Sequence, residues 1–301
     1  MSLIRFLLIL LFIGLPATLL AELSNGDLPA ARWYAHIDLV EMRAGEAGQH
    51  LYAWLEDEVF DELRDEFGFD ADQEADVITA LATPEGGVMV VVEGKFTQDT
   101  KDKIVAIGAA ASEFNSLEVD GNVYYFIGDD DESEHHGDGS FDNGAYISLA
   151  LNNKLLVAST EEQMHELIKG KGRIPGDYDH DGSLIVLSAE QSLVQAGLSA
   201  DSIGDDLGWD SNMLRNTKQL ALLISDEAGK ISIEAQLIAA EEELANSLAS
   251  IVRGLISLQA FNDELDSELT EFLQTATVAV DGATLTVKVA MDPQVMVDAI
   301  D

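Results

Sequence analysis

The chain has 301 residues, with 16 lysines and arginines against 56 aspartates and glutamates, no cysteine and a net charge of −40. That balance argues against nucleic acid as a partner, because neutralising phosphates needs clustered cations, and it disfavours anionic lipid surfaces for the same reason. The lack of cysteine rules out a disulfide framework, thiol catalysis, cysteine-ligated metal and a lipid-modified N-terminal cysteine.

The first residues, MSLIRFLLILLFIGLPATLLA, carry Arg5, an apolar run from Phe6, then Gly14 and Pro16, before an abrupt change at Glu22. This is the plan of a secretory signal peptide, so residues 1–21 are expected to be removed near Ala21. Phe6 to Ala21 spans 16 residues, fewer than the roughly 20 apolar residues of a spanning helix; an uncleaved anchor is the alternative. Leu19 stands where a small residue usually precedes the cut. Export by a simple leader, without disulfides, reads as bacterial, with the mature chain periplasmic or extracellular. Its self-repulsion is relieved where salt screens charge, over about 8 Å at physiological strength, so a saline habitat is expected. The 47 % hydrophobic content argues for folding over disorder.

Beyond the leader, "WYAHIDL" sets Trp33, Ala35, Ile37 and Leu39 against Tyr34, His36 and Asp38, the alternation of a half-buried strand. "AGQHLYAWLEDEVFDELRDEFG" puts Leu51, Trp54, Leu55, Val59 and Leu63 on one helical face. "VITALATPEGGVMVVVEGKF" reads as two strands about Pro84-Glu85-Gly86-Gly87, and "DTKDKIVAIGAAASEF" as a helix with Ile104, Ile107, Ala111 and Phe114 in register. A hairpin at Asp120-Gly121 follows, then one at Asn152-Asn153, then a helix capped by Thr160 and ended by Gly170. The order then recurs. "GSLIVLSAEQSL" supplies a strand and "QLALLISDEAGKISIEAQLI" a pair turning near Gly229. A helix carries Leu244, Leu248, Ile251, Leu255 and Leu258, a hairpin turns at Asp281-Gly282, and a last helix begins with Asp292 as cap and Pro293 at its first position. The expected fold class is α+β: two tandem repeats, each a mostly antiparallel sheet with helices packed on one face. The first unit is 22–172, residues 173–182 are a linker, and the second unit is 183–301.

The leader, the duplicated order and the terminal "VAVDGATLTVKVAMDPQVMVDAI" pattern resemble poorly characterised exported bacterial proteins built of tandem α+β units, of the domain-of-unknown-function type. The resemblance implies that fold plan over most of the mature chain. It implies no activity and offers no functional residues to carry over.

Two stretches are candidate metal sites. The segment 128–144 is an insertion between two strands of the first unit, with no counterpart in the second. In it His135 and His136 lie among Asp129, Asp130, Asp131, Glu132, Glu134, Asp138 and Asp142. Imidazole with carboxylate suits zinc, copper or nickel, although adjacent side chains diverge in an extended chain and a solvated hairpin loop is the alternative. Asp177, Asp179 and Asp181, followed by Gly182 and Leu184, match the first half of an EF-hand-like calcium loop. There Ser188 takes the twelfth place and Glu190 falls two residues late. A turn in a linker is the other reading.

His36 and Asp38 share a strand face, which permits an acid–base pair, but no nucleophile or oxyanion device accompanies them; the polar face of a sheet is the alternative. "GKGRIP" from Gly170 is the one basic knot; it lacks P-loop spacing and reads as linker. No G-x-S-x-G elbow, H-E-x-x-H pair or Rossmann glycine run occurs. These observations lead to a non-catalytic exported acidic protein with a binding or envelope-associated structural role, a protein partner in the cell envelope and no required cofactor. A divalent-cation binder, with Ca²⁺ first, and a hydrolase whose site is scattered through the sequence are the alternatives.

Overall fold

The computed structural model describes residues 31–61, 64, 69–84, 86–128, 141, 144–174, 182–190, 216–259 and 275–300. The fold is mixed α+β with extensive antiparallel sheet, and the chain divides into two compact units. Among the described residues, 35–40 and 52–174 belong to the first, and 31–34, 41–51 and everything from 182 onward to the second. Residues 41–51 thus group with the later part of the chain, although they are early in sequence.

Strand β1 (Trp33–Asp38) is followed by helices α1 (Leu39–Ala44) and α2 (Glu46–Leu55), the latter running into a π-helical turn, Glu56–Phe60. The apolar alternation expected for β1 is not what is buried: Tyr34 and His36 are, beside Ile37, while Trp33 and Ala35 are half-buried. Leu39, expected on the strand, opens α1, because the Asp38 carboxylate accepts from the Val40 amide (2.9 Å) and caps it. The helical region therefore starts earlier than its sequence pattern predicts and is broken at Gly45. Of its expected stripe Leu51, Leu55 and Val59 are buried and Trp54 is half-buried, while Leu63 lies outside the described residues. The π-turn adds a residue to the turn, and Val59 and Phe60 are both buried in it.

After α3 (Ala71–Glu74), strands β2 (Ala75–Ala82) and β3 (Val88–Gly94) pair antiparallel. β3 is a near-continuous apolar run, Val88 to Val92, and all of it is buried. Helix α4 (Gln98–Gly108) is capped by the Thr97 side chain, which accepts from the Thr100 amide. It ends short of the expected helix, so Ala111 and Phe114 are not on its stripe and Ile107 is exposed. Phe114 belongs instead to β4 (Glu113–Val119) and stacks on Tyr125 of β5 (Asn122–Gly128), ring centroids 5.4 Å apart. The β4–β5 turn has Asp120 and Gly121 both at positive φ (51° and 78°), as a two-residue type I′ hairpin requires. Strands β6 (Ala145–Ser148) and β7 (Lys154–Ala158) and helix α5 (Glu161–Lys169) complete the unit. Its strand order is β1-β2-β3-β7-β6-β5-β4, so the β6–β7 hairpin lies between β3 and β5. Met164 and Leu167 of α5 and Leu156 of β7 are fully buried.

Gly170, expected to end α5, is itself right-handed. The left-handed residue is Lys171 (φ 56°), followed by Gly172 (φ 70°). The Gly172 amide donates to the Leu167 carbonyl and the Lys171 amide to that of Ile168, the two bonds of a Schellman motif.

The second unit contains β8 (Ser183–Glu190), β9 (Thr217–Glu227), β10 (Lys230–Ala239), α6 (Glu242–Gln259), β11 (Thr277–Asp281), β12 (Thr284–Met291) and α7 (Pro293–Ile300). The strand order is β8-β9-β10-β12-β11. Leu248 and Ala249 of α6 are buried with Leu285 of β12, against Leu237, Leu244, Val252, Val278, Val280 and Val287. Ile251, expected on that stripe, is 36 % exposed, so the buried face is rotated toward the small residues Ala245 and Ala249. Asp281 stays in β11 and the turn begins at Gly282 (φ 54°). The Asp292 carboxylate accepts from the Gln294 amide at the start of α7, as expected of its cap. Asp226, near the β9–β10 turn, accepts through Oδ2 from the Ala47 and Gly48 amides (2.8 and 3.4 Å) and through Oδ1 from Gly229 (2.9 Å).

Candidate functional site

The strongest metal-ligand candidates, Asp177, Asp179, Asp181, His135 and His136, lie outside the described residues. Among the described residues no group of three or more histidine or carboxylate side chains is arranged to hold a metal ion. His36 and Asp38 have separate partners: His36 Nδ1 is 3.1 Å from Thr79 Oγ1, and Asp38 caps α1.

One cluster of ionisable side chains joining a strand to a helix was not foreseen. It joins Tyr124 on β5 to Glu161 and His165, one turn apart on α5. The Tyr124 hydroxyl donates to Glu161 Oε1 (2.6 Å) and lies 2.9 Å from His165 Nε2. With its single proton spent on the carboxylate, the phenol oxygen accepts from the imidazole, which selects a protonated Nε2. The imidazole stands edge-on to the Tyr124 ring, centroids 5.5 Å apart. Burial, then the hydrogen bond to Glu161 and its negative charge, push the Tyr124 phenol up to about 12. Burial and the carboxylates Glu161, Glu162 and Glu113 push the Tyr146 phenol up as well. Both phenols are therefore neutral at neutral pH. What the arrangement does is tie the acidic first turn of α5 to β5, with Glu161 and Glu162 where the helix dipole favours them. The i,i+4 pair Glu161/His165 is visible in "TEEQMHELIKG"; its partner, 37 residues away in sequence, is not.

Two buried carboxylates also escaped the sequence reading. Glu74, 5 % exposed, accepts through Oε1 from the Thr97 amide (2.9 Å) and Thr100 hydroxyl (2.8 Å), placing an anion at the start of α4. Glu234 on β10, 1 % exposed, belongs to a buried polar row with Ser232 and Gln236 and faces Lys288 across the β10–β12 ladder. In a chain with 56 acids, no sequence signal separates these two from the solvated majority.

Fold and clusters together define an α+β protein with an antiparallel framework, in which, among the described residues, Glu74 Oε2 and Ser232 Oγ are buried without a hydrogen bond. No protein-family model matches the chain, and no curated protein sequence matches it. That outcome agrees with the resemblance to α+β proteins that offer no residue roles to transfer. Among solved structures, crystal form IV of TP0453 is similar, with a TM-score of 0.50 and 10 % identity over 90 % of this chain and 92 % of that one. Crystal form III of TP0453 gives 0.47 at 10 % identity (90 % and 94 % covered), and form I gives 0.46 at 12 % identity (92 % and 98 %). At such identity the likeness concerns the fold alone. No helix among the described residues is long and apolar enough to cross a membrane.

Proposed function

We propose that this chain is an exported acidic protein of the bacterial periplasm or exterior, cleaved near Ala21, which acts without catalysis in a binding or envelope-associated structural role. The observation that carries the reading is the Tyr124–Glu161–His165 cluster, in which three ionisable side chains are spent on holding a helix to a strand. Two assays test it. N-terminal sequencing of the protein is expected to begin near Glu22; a retained Met1 defeats cleavage, and absence of the protein from the periplasmic and extracellular fractions defeats export. A hydrolase screen of the mature chain is expected to stay at background, and turnover abolished by one substitution at His165 or Glu161 reverses the non-catalytic assignment.

The two units are proposed to be tandem repeats. Supporting this, β1-β2-β3 and β8-β9-β10 open their units in the same order, and β5-β4 and β12-β11 close them. The β6–β7 hairpin is then an insertion in the first. An experimental structure whose units fail to superpose by those pairings removes the duplication.

Calcium binding at Asp177, Asp179 and Asp181 is the second reading. It is favoured by Gly182 at φ 76°, the left-handed geometry suited to the invariant sixth-position turn of such loops, and by Leu184, 1 % exposed at the eighth. Ser188, at the twelfth, is a buried residue of β8, so the bidentate ligand must come from elsewhere. Calcium in the millimolar range is expected to raise the melting temperature and EGTA to reverse it; insensitivity to both disposes of this reading.

A further inference from the structure

We propose that a cleft at the turn end of the first unit binds a small anion through phosphate or carboxylate oxygens, with Lys169 and Lys171 as its main cationic contacts. The cleft has a volume of about 460 Å³, within the range of small-molecule sites. Three segments build it: the β4–β5 turn with Asp120 and Asn122, the β6–β7 connection with Asn152 and Lys154, and the end of α5 with Lys169 and Lys171. Leu151 and Ile168 supply apolar wall. The inference goes beyond the function proposed above, since it depends on neither export nor metal.

The first argument is charge. Acids outnumber bases 56 to 16 in the chain, yet three lysines and one aspartate line the cleft. Lys154 is held in place by bonds from Nζ to Glu93 Oε1 (2.8 Å) and the Gly172 carbonyl (3.2 Å). An ammonium has three donors, so one remains. Lys169 and Lys171 make no ion pair or side-chain hydrogen bond among the described residues, and both are exposed.

The second argument is conformational. Lys171 occupies the left-handed position of the Schellman motif, where glycine is the usual residue because it has no Cβ penalty. Glycines flank it on both sides, at 170 and 172, so the left-handed site carries lysine although the same stretch is rich in the residue that suits it. Attraction to the helix dipole does not account for this. A cation anywhere in the last turn satisfies the dipole, and Lys169 is already there. What the strained placement adds is a second exposed ammonium on the cleft.

The test is calorimetry on the mature full-length chain in about 0.15 M NaCl, with sodium phosphate and sodium succinate as separate probes. Saturable one-to-one binding of either is expected, and the two arms distinguish phosphate from carboxylate. The Lys169→Gln/Lys171→Gln double variant is expected to lose about tenfold in affinity, while Lys101→Gln/Lys103→Gln, the same charge change on α4, keeps it. Lys171→Gly separates binding from capping: it is expected to raise the melting temperature and yet weaken binding several-fold. Absence of saturable heat from both probes, an equal loss in the α4 variant, or unchanged affinity in Lys171→Gly overturns the proposal.

Discussion

Asp226 holds two segments far apart in sequence with one carboxylate, taking the Ala47 and Gly48 amides on one oxygen and Gly229 on the other. Charge-assisted bonds of this kind contribute about 1.5–3 kcal/mol each, so Asp226→Ala is expected to lose about that much in urea denaturation; a change within experimental error removes the tie. Gly45 is its companion, because a Cβ there would stand 2.5 Å from Asp226 Oδ2, and Gly45→Ala is expected to destabilise by pushing the carboxylate away. Tyr124 makes a prediction in pH. Its folded value, about 12, lies above the ordinary 10, so its contribution is whole below pH 10 and is lost as pH rises through 12. Spectrophotometric titration is expected to show a tyrosine ionising well above the others, absent in Tyr124→Phe; a single transition near 10 refutes this. Only the local part of such features is legible in sequence. Asp120-Gly121 announces its turn because two adjacent residues determine it, whereas Tyr124–Glu161 and Asp226–Ala47 depend on which elements the fold brings together.

At the scale of elements, the start of α4 combines a local cap with a distant one. Thr97 accepts from the Thr100 amide, and Glu74 accepts from the Thr97 amide and Thr100 hydroxyl. Glu74→Ala would remove the acceptor shared by the Thr97 amide and the buried Thr100 hydroxyl, and a loss of about 1–2 kcal/mol is expected in chemical denaturation; Glu74→Gln, which keeps the acceptor, is expected to lose less. If both variants match the parent, Glu74 is not the second cap. The sequence placed this helix correctly and overran its end, because Ala111 and Phe114 continue the spacing of Ile104 and Ile107 by coincidence. Gly108 ends it, and its bare Cα sits where a Cβ would come 2.5 Å from Ile127 Cδ1. The inverted burial of β1 has a different cause: alternation locates a strand without saying which face is covered, and here Tyr34 and His36 are the inward pair while Trp33 and Ala35 are half-buried. "GKGRIP" was legible as a basic knot, but its approach to Lys154 was not, since that rests on α5 lying beside β7.

For the whole molecule, charge is the governing quantity. At a net −40 the folded chain repels itself more than the expanded one does, and salt relieves this over about 8 Å. The melting temperature is expected to rise as NaCl increases from low concentration; a flat or falling curve contradicts the saline habitat. Strand content, hairpins and overall class were readable because the hydrophobic periodicity and turn chemistry are strong. The candidate site was less so, since acidity is spread over the chain and hides the few carboxylates that matter. The strand orders carry one last consequence. Each unit ends on a strand with alternating exposed residues, β4 with Glu113 and Glu118 outward, β11 with Asp281. Exposed charge on an edge strand discourages pairing with a neighbouring copy. Near the isoelectric point of about 4.1 the chain's overall repulsion vanishes, and acid, rather than heat, is the condition expected to bring neighbouring copies rim to rim; light scattering that stays flat through that range contradicts it.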